Sequence, residues 1–146
     1  MTKLTAAACE LCKAAGGDLL WQDEHCRVVA AAEPGFPGFC RVILQSHVSE
    51  MTDLDPSVRQ RLMQAVYAVE SALRDLMHPD KINLASLGNM VPHLHWHVIP
   101  RFRGDSRFPD PIWAPARREG ERRAQPALAD LAARLRAELG PGVPRA

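Results

Sequence analysis

The stretch His93-Leu94-His95-Trp96-His97-Val98-Ile99 alternates without a break. In an extended strand rising about 3.3 Å per residue, side chains two apart share a face, which sets His93, His95, His97 and Ile99 in one row at intervals of about 7 Å. Leu94, Trp96 and Val98 form the other row, an apolar set expected to pack on the core while the histidines face outward. Three imidazoles in register can converge on one anion or one metal ion. A His-x-His pair on a strand suits zinc and other borderline metals. Alternatively, one imidazole attacks phosphorus while its neighbour donates hydrogen bonds to the phosphate oxygens. Chance alignment of three surface or core histidines is the plain reading beside these two.

Outward from this strand, Lys81 to Leu87 reads as another strand, with Gly88-Asn89 as the turn between them. Before it, Val58, Leu62, Val66, Val69, Leu73 and Leu76 step by three or four residues, so they lie along one helical face. Asp55-Pro56 supplies an N-cap carboxylate and a first-turn proline, and His78-Pro79 a stop, which predicts a helix over Pro56 to Met77. Met63, Tyr67 and Leu76 give it a second, partly apolar flank. Upstream, Leu19 to Trp21, Arg27 to Ala32 and Phe39 to Leu44 read as a strand meander, the last two separated by the Pro- and Gly-rich turn Glu33 to Gly38. Downstream, residues 101–124 read as a long polar loop whose Phe108 and Trp113 anchor it across a dimer or over a ligand. Pro126 to Leu139 has Leu128, Leu131, Leu135 and Leu139 on one side of a last helix, and residues 141–146 read as a flexible tail. The expected architecture is α+β, one domain over residues 1–140 with its core at about 9–103.

Composition narrows the function. A chain of 146 residues with 18 Lys plus Arg against 17 Asp plus Glu has a net charge of +1, which argues against a nucleic-acid binder that works by phosphate neutralisation. The longest uncharged stretch, residues 82–100, contains two asparagines, two prolines and three histidines, so no membrane span is expected. The short run Leu4 to Ala8 is too brief for a secretory signal, and a cytoplasmic location follows as the expectation. The four cysteines then read as thiols or metal ligands. Cys26 and Cys40, in strand-like apolar stretches, are read as buried hydrophobes without a role. Cys9-x-x-Cys12 is half of a zinc site by spacing, with a redox pair or two buried thiols as alternatives.

Taken together, these motifs resemble the histidine triad (HIT) family of nucleotide hydrolases and transferases. His93 to Ile99 is similar to its His-φ-His-φ-His-φ-φ signature, and Gly38 to Val48 to its Gly-His-x-Leu-x-Ile-x-x-x-His-φ segment. Asp53-Leu54 resembles its helix entry, Gly88 to His93 its Gly-Gln-Ser/Thr-Val-x-His, and Ile99-Pro100-Arg101 its common ending. The resemblance spans about residues 9–103.

It implies a HIT-like fold: an antiparallel sheet of about five strands with one long central helix and a C-terminal helix, paired as a homodimer. It implies an enzyme similar to diadenosine polyphosphate hydrolases. Such an enzyme cleaves at the α-phosphate of dinucleoside polyphosphates, or of other AMP esters and phosphoramidates, through a covalent nucleotidyl-histidine, the phosphoramidate intermediate. His95 would be the nucleophile, His97 would hold a phosphate oxygen, and the carbonyl of His93 would fix the tautomer of His95. Gly88, Asn89 and Asn83 would line the purine nucleotide site. The resemblance also extends to bacterial members, and to galactose-1-phosphate uridylyltransferases, that hold a structural zinc ion; the matching ligands here are Cys9, Cys12, His47 and His93. His93 then serves either the metal or the phosphate, and His47 either the metal or the backbone at a helix entry. Asn89 stands where the family has glutamine, and Met90 where it has Ser or Thr; a thioether cannot donate a proton to a leaving group. Met90 thus motivates a second reading, a nucleotide-binding regulatory module with vestigial catalysis. A third is a zinc-stabilised interaction domain.

Overall fold

The computed structural model describes residues 5–144. Five strands, β1 (Asp18–Gln22), β2 (Cys26–Ala30), β3 (Cys40–Leu44), β4 (Lys81–Ala85) and β5 (His95–Arg101), form one antiparallel sheet in the order β1-β2-β3-β5-β4. The histidine strand is therefore interior, flanked by β3 and β4. Its register opposes Ile43 to His95 and Arg41 to His97 on β3, and Ala85 to His97 on β4.

Three helices complete the fold: a single turn α1 (Glu10–Lys13), the long α2 (Pro56–Met77) and α3 (Leu128–Leu139). α2 has the predicted bounds. Its start differs in chemistry, because the Asp55 side chain makes no capping bond and the Asp55 carbonyl instead accepts from Arg59 N at 3.0 Å. At its other end, His78 adopts φ 50° and closes the helix through a bond from its N–H to the Arg74 carbonyl. α3 begins at Leu128, two residues beyond Pro126.

Alternation in the strands and the apolar stripes of the helices meet in one core. Val28, Val42, Leu44, Leu94 and Val98 pack with Leu62, Val66, Val69 and Leu73 of α2 and Leu131 and Leu135 of α3. Each fully buried leucine or valine there contributes about 1.5–3 kcal/mol. Met63 and Leu76 also pack against this core, so of the predicted second flank Tyr67 alone is exposed, at 55%.

The opposite face of the sheet does not face solvent. Ala31, Phe36, Phe39, Ile99 and Ile112 make a second apolar cluster, because the chain after β5 folds back over this side. His93, His95 and His97 are 0%, 9% and 7% exposed, which corrects the outward-facing expectation. Alternation tells which side chains share a face but not what covers it. The strand itself also starts at His95, since Leu94 leaves the ladder to bridge the Leu44 N–H and the Val48 carbonyl. Residues 141–144, expected to be a tail, run beside β1: Val143 N donates to Gln22 O at 2.9 Å and Trp21 Nε1 to Gly140 O at 2.9 Å. Residues 145–146 lie outside the described residues. Among the described residues no helix is long and apolar enough to cross a membrane.

Candidate functional site

Two clusters meet at the start of β5. In the first, Cys9, Cys12, His47 and His93 bring four donor atoms within 4.8 Å of one another, close enough to bind one metal ion. Cys9 and Cys12 come from the N-terminal arm around α1, His47 from the segment after β3, and His93 from the segment before β5. His93 Nε2 lies 2.6 Å from the Leu44 carbonyl, which only accepts, so the proton sits on Nε2 and the Nδ1 lone pair is left bare. Burial holds His93 below its ordinary pKa against that bond, and Arg27, His47 and His95 add to the depression, so the ring is neutral. The bare Nδ1 faces Cys9 Sγ at 3.5 Å, Cys12 Sγ at 3.4 Å and His47 Nδ1 at 3.4 Å.

Arg27 fastens the arm that supplies the cysteines. From β2, 7% exposed, it donates to the carbonyls of Leu11 (2.6 Å), Ala14 (3.2 Å) and Ala15 (2.9 Å) and to Gln45 Oε1 (2.9 Å). Gly16 then turns the arm at φ 88°, and a Cβ there would stand 2.9 Å from Ile43 Cδ1. Only glycine meets both demands.

In the second cluster, His95 Nδ1 donates to the His93 carbonyl at 2.6 Å. This fixes the tautomer and leaves the Nε2 lone pair of His95 free to act as a base or a nucleophile. Its ring packs edge-on to His97, with centroids 4.9 Å apart. Burial, reinforced by His95 and Arg41, pushes the pKa of His97 down to about 4, so His97 is neutral near pH 7. His97 Nδ1 is buried with no hydrogen-bond partner, so the ring proton is best placed on Nε2, where a ligand oxygen can accept it. Trp113, from the loop after β5, packs edge-on against His97 with centroids 5.2 Å apart.

His95 and His97 open into a cavity of about 520 Å³, walled by Gly88, Asn89, Met90 and Val91 on one side and by Glu10, Leu11, Ala14 and Gly16 of the arm on the other. Gly88 and Asn89 are thus at the histidines. Met90 is 92% exposed at the rim. Asn83 is not at this cavity: its Oδ1 accepts from Arg101 Nη1 at 2.8 Å, and it lines a neighbouring apolar cavity of about 700 Å³, shared only at Leu87 and Trp113. The side chain of His93 is likewise directed to the cysteines, and its carbonyl alone serves His95. The sequence did not single out the arm residues Glu10, Leu11, Ala14 and Gly16 or Arg41 of the cavity wall, nor Arg27, which fastens the arm. Arg41 carried a readable signal, a charged residue on the outer face of an otherwise apolar strand.

Comparison with known proteins agrees with this geometry. A family model described as the HIT domain matches residues 13–104. A histidine triad protein structure from Sinorhizobium meliloti is 26% identical with a TM-score of 0.66, covering 85% of this chain and 90% of that one. "Protein hit" of Bacillus subtilis is 27% identical over 110 residues, covering 68% of this chain and 76% of the relative. The asymmetrical bis(5'-nucleosyl)-tetraphosphatase of Schizosaccharomyces pombe is 26% identical over 104 residues, 68% of this chain and 57% of that enzyme's length.

Proposed function

The chain belongs to the HIT domain family, and from that premise we propose that it is a nucleotidyl hydrolase or transferase acting at the α-phosphate of dinucleoside polyphosphates or related AMP esters. The observation that carries this reading is the 2.6 Å bond from His95 Nδ1 to the His93 carbonyl, which places the ring proton on Nδ1 and leaves the Nε2 lone pair at the cavity. His95 Nε2 attacks the α-phosphorus in line as the bond to the leaving oxygen breaks. The leaving group departs with that electron pair, and a water then cleaves the phosphorus–nitrogen bond to release the nucleoside monophosphate and restore His95. His97 Nε2–H and the amide of Asn89 hold the non-bridging oxygens. The relationship to a bis(5'-nucleosyl)-tetraphosphatase supports the substrate class. Met90 supports a leaving group that is already a stable anion, because a thioether has no proton to give.

Cys9, Cys12, His47 and His93 would hold zinc. With Zn–S of about 2.3 Å and Zn–N of about 2.0–2.1 Å, a tetrahedron has S···N edges of about 3.5 Å and N···N edges of about 3.4 Å. The separations here are 3.4–3.5 Å and 3.4 Å. Four protein ligands close such a site, so the ion would serve as a structural clamp on the arm.

The test is His95→Asn. It should reduce hydrolysis of diadenosine tetraphosphate by at least about a thousandfold while AMP still binds, and rapid quench of the unaltered protein should trap labelled nucleotide on His95. Near-normal turnover by the variant would reject the nucleophile. The second reading, a nucleotide-binding module favoured by Met90, predicts tight AMP binding and negligible turnover that does not depend on His95.

A further inference from the structure

The cavity at His95 and His97 has a charge problem. A dinucleoside polyphosphate carries several negative charges, His97 meets it neutral, and the exposed Glu10 on the arm is repulsive. Among the residues lining the cavity there is one fixed cation, Arg41. It stands directly across from His97 in the β3–β5 register, on the same face of the sheet. Its guanidinium lies over the Phe39 ring, 5.1 Å from the centroid, and makes a single long hydrogen bond, 3.3 Å from Nη1 to the Gly16 carbonyl. No carboxylate pairs with it among the described residues. The contrast with the other interior arginines is informative: Arg27 is saturated by three carbonyls and an amide, and Arg101 by Asp105 and Asn83. A half-buried arginine with most of its five donors unused, beside the nucleophile's neighbour, fits an anion absent from the protein itself.

We infer that Arg41 is the binding residue for the phosphoryl groups beyond the α-phosphate, so that it sets a preference for substrates with a polyphosphate leaving group over those expelling a neutral amine. The inference rests on the reading of His95 as an α-phosphate site. Position adds a second argument: Gly38 to Val48 otherwise follows a pattern that has leucine where this chain has Arg41, and leucine would suffice if the side chain only filled space. Phe39, likewise at variance with that pattern, supplies the ring over which the guanidinium lies.

The experiment compares Arg41→Leu and Arg41→Lys with the unaltered protein, without added magnesium, on diadenosine tetraphosphate and on adenosine 5'-phosphoramidate. A charge-assisted contact made to only one of the two substrates predicts that Arg41→Leu lowers the tetraphosphate-to-phosphoramidate ratio of kcat/KM roughly 10- to 100-fold, with Arg41→Lys in between. Calorimetry with ATP and AMP gives an arm that needs no turnover: Arg41→Leu should lose most of the preference for ATP. An unchanged substrate ratio, or equal loss of ATP and AMP affinity, would overturn the assignment and make Arg41 a support for the nucleoside or for His97. Absence of turnover in the unaltered protein would instead reject the hydrolase reading, with the ATP and AMP comparison still deciding Arg41. If Arg41→Leu melts early, Arg41→Lys and Arg41→Gln carry the same comparison.

Discussion

Removing the Asp105 carboxylate tests what holds the chain over the histidine face. Arg101, at the end of β5, is 1% exposed, and its guanidinium meets Asp105 through Nε at 2.8 Å and Nη2 at 3.0 Å. Asp105 is 7% exposed and also accepts from the backbone N–H groups of Arg107 (2.9 Å) and Phe108 (2.7 Å). This turn launches the segment carrying Ile112 into the second apolar cluster and Trp113 onto His97. Asp105→Ala leaves a buried guanidinium with Asn83 Oδ1 and the Phe36 and Phe108 rings as its partners, and takes the acceptor from the N–H groups of Phe102, Arg107 and Phe108. Breaking a buried pair in this one-sided way costs roughly 3–5 kcal/mol. At about 3 °C per kcal/mol for a chain of this size, the melting temperature should fall by about 10–15 °C. The Arg101 guanidinium holds the Asp105 pKa below the usual carboxylate range despite burial. Its stabilisation is therefore fully present above the unfolded carboxylate value of about 3.9 and is lost as pH falls through the lower folded value. Scanning calorimetry at neutral pH and through the acid range below about pH 3.9 reads both effects, and the difference between the two proteins should narrow as the pH falls. The paired replacement Arg101→Met with Asp105→Leu should recover much of the loss. A neutral-pH destabilisation below about 1 kcal/mol would refute the reasoning.

Two further outcomes are expected. Purified protein should contain close to one zinc per chain by elemental analysis, and Cys12→Ser or prolonged chelation should remove the metal and lower the melting temperature together; metal-free protein with an unchanged melt would reject the clamp. A twofold dimer through the β4 edge and α2 should give a mass near twice 16.1 kDa by light scattering at micromolar concentration, and a monomer would reject it.

What the sequence disclosed depended on whether a feature repeats with a period. α2 was legible to the residue because six apolar positions recur at helical spacing between a proline and a helix stop. β5 was legible because it alternates, and the same alternation assigned Val98 and Ile99 to opposite layers. Burial of the histidines was not legible. It arises from residues 102–127, which have no period, and from an arm held by Arg27 bonds to carbonyls, which carry no sequence signature. Asn83 shows the same limit: a motif placed it near phosphate, whereas β4 delivers its amide to Arg101 on the adjoining strand. The four-residue cluster joins positions more than 80 apart in the chain, a pairing that spacing alone does not reveal.

His93 connects the two clusters, and its three bonds explain how a metal held at the first, as proposed, would bear on chemistry that it does not touch. Nε2–H fixes the residue to the Leu44 carbonyl at the end of β3, Nδ1 points among the two sulfurs and His47, and the main-chain carbonyl holds His95. Turning the ring about its bond to the backbone cannot keep the first two contacts, so the cluster and β3 together set where the His93 carbonyl points. That carbonyl is the hydrogen-bond partner of His95 Nδ1 and so determines both the tautomer and the aim of Nε2. Displacing a reacting group by about 1 Å costs on the order of a hundredfold in rate. Under the proposed function, loss of the ligand set would therefore act on turnover through orientation, and on binding as well, because the arm that carries Cys9 and Cys12 is the wall of the cavity that holds Gly16, whose carbonyl accepts from Arg41.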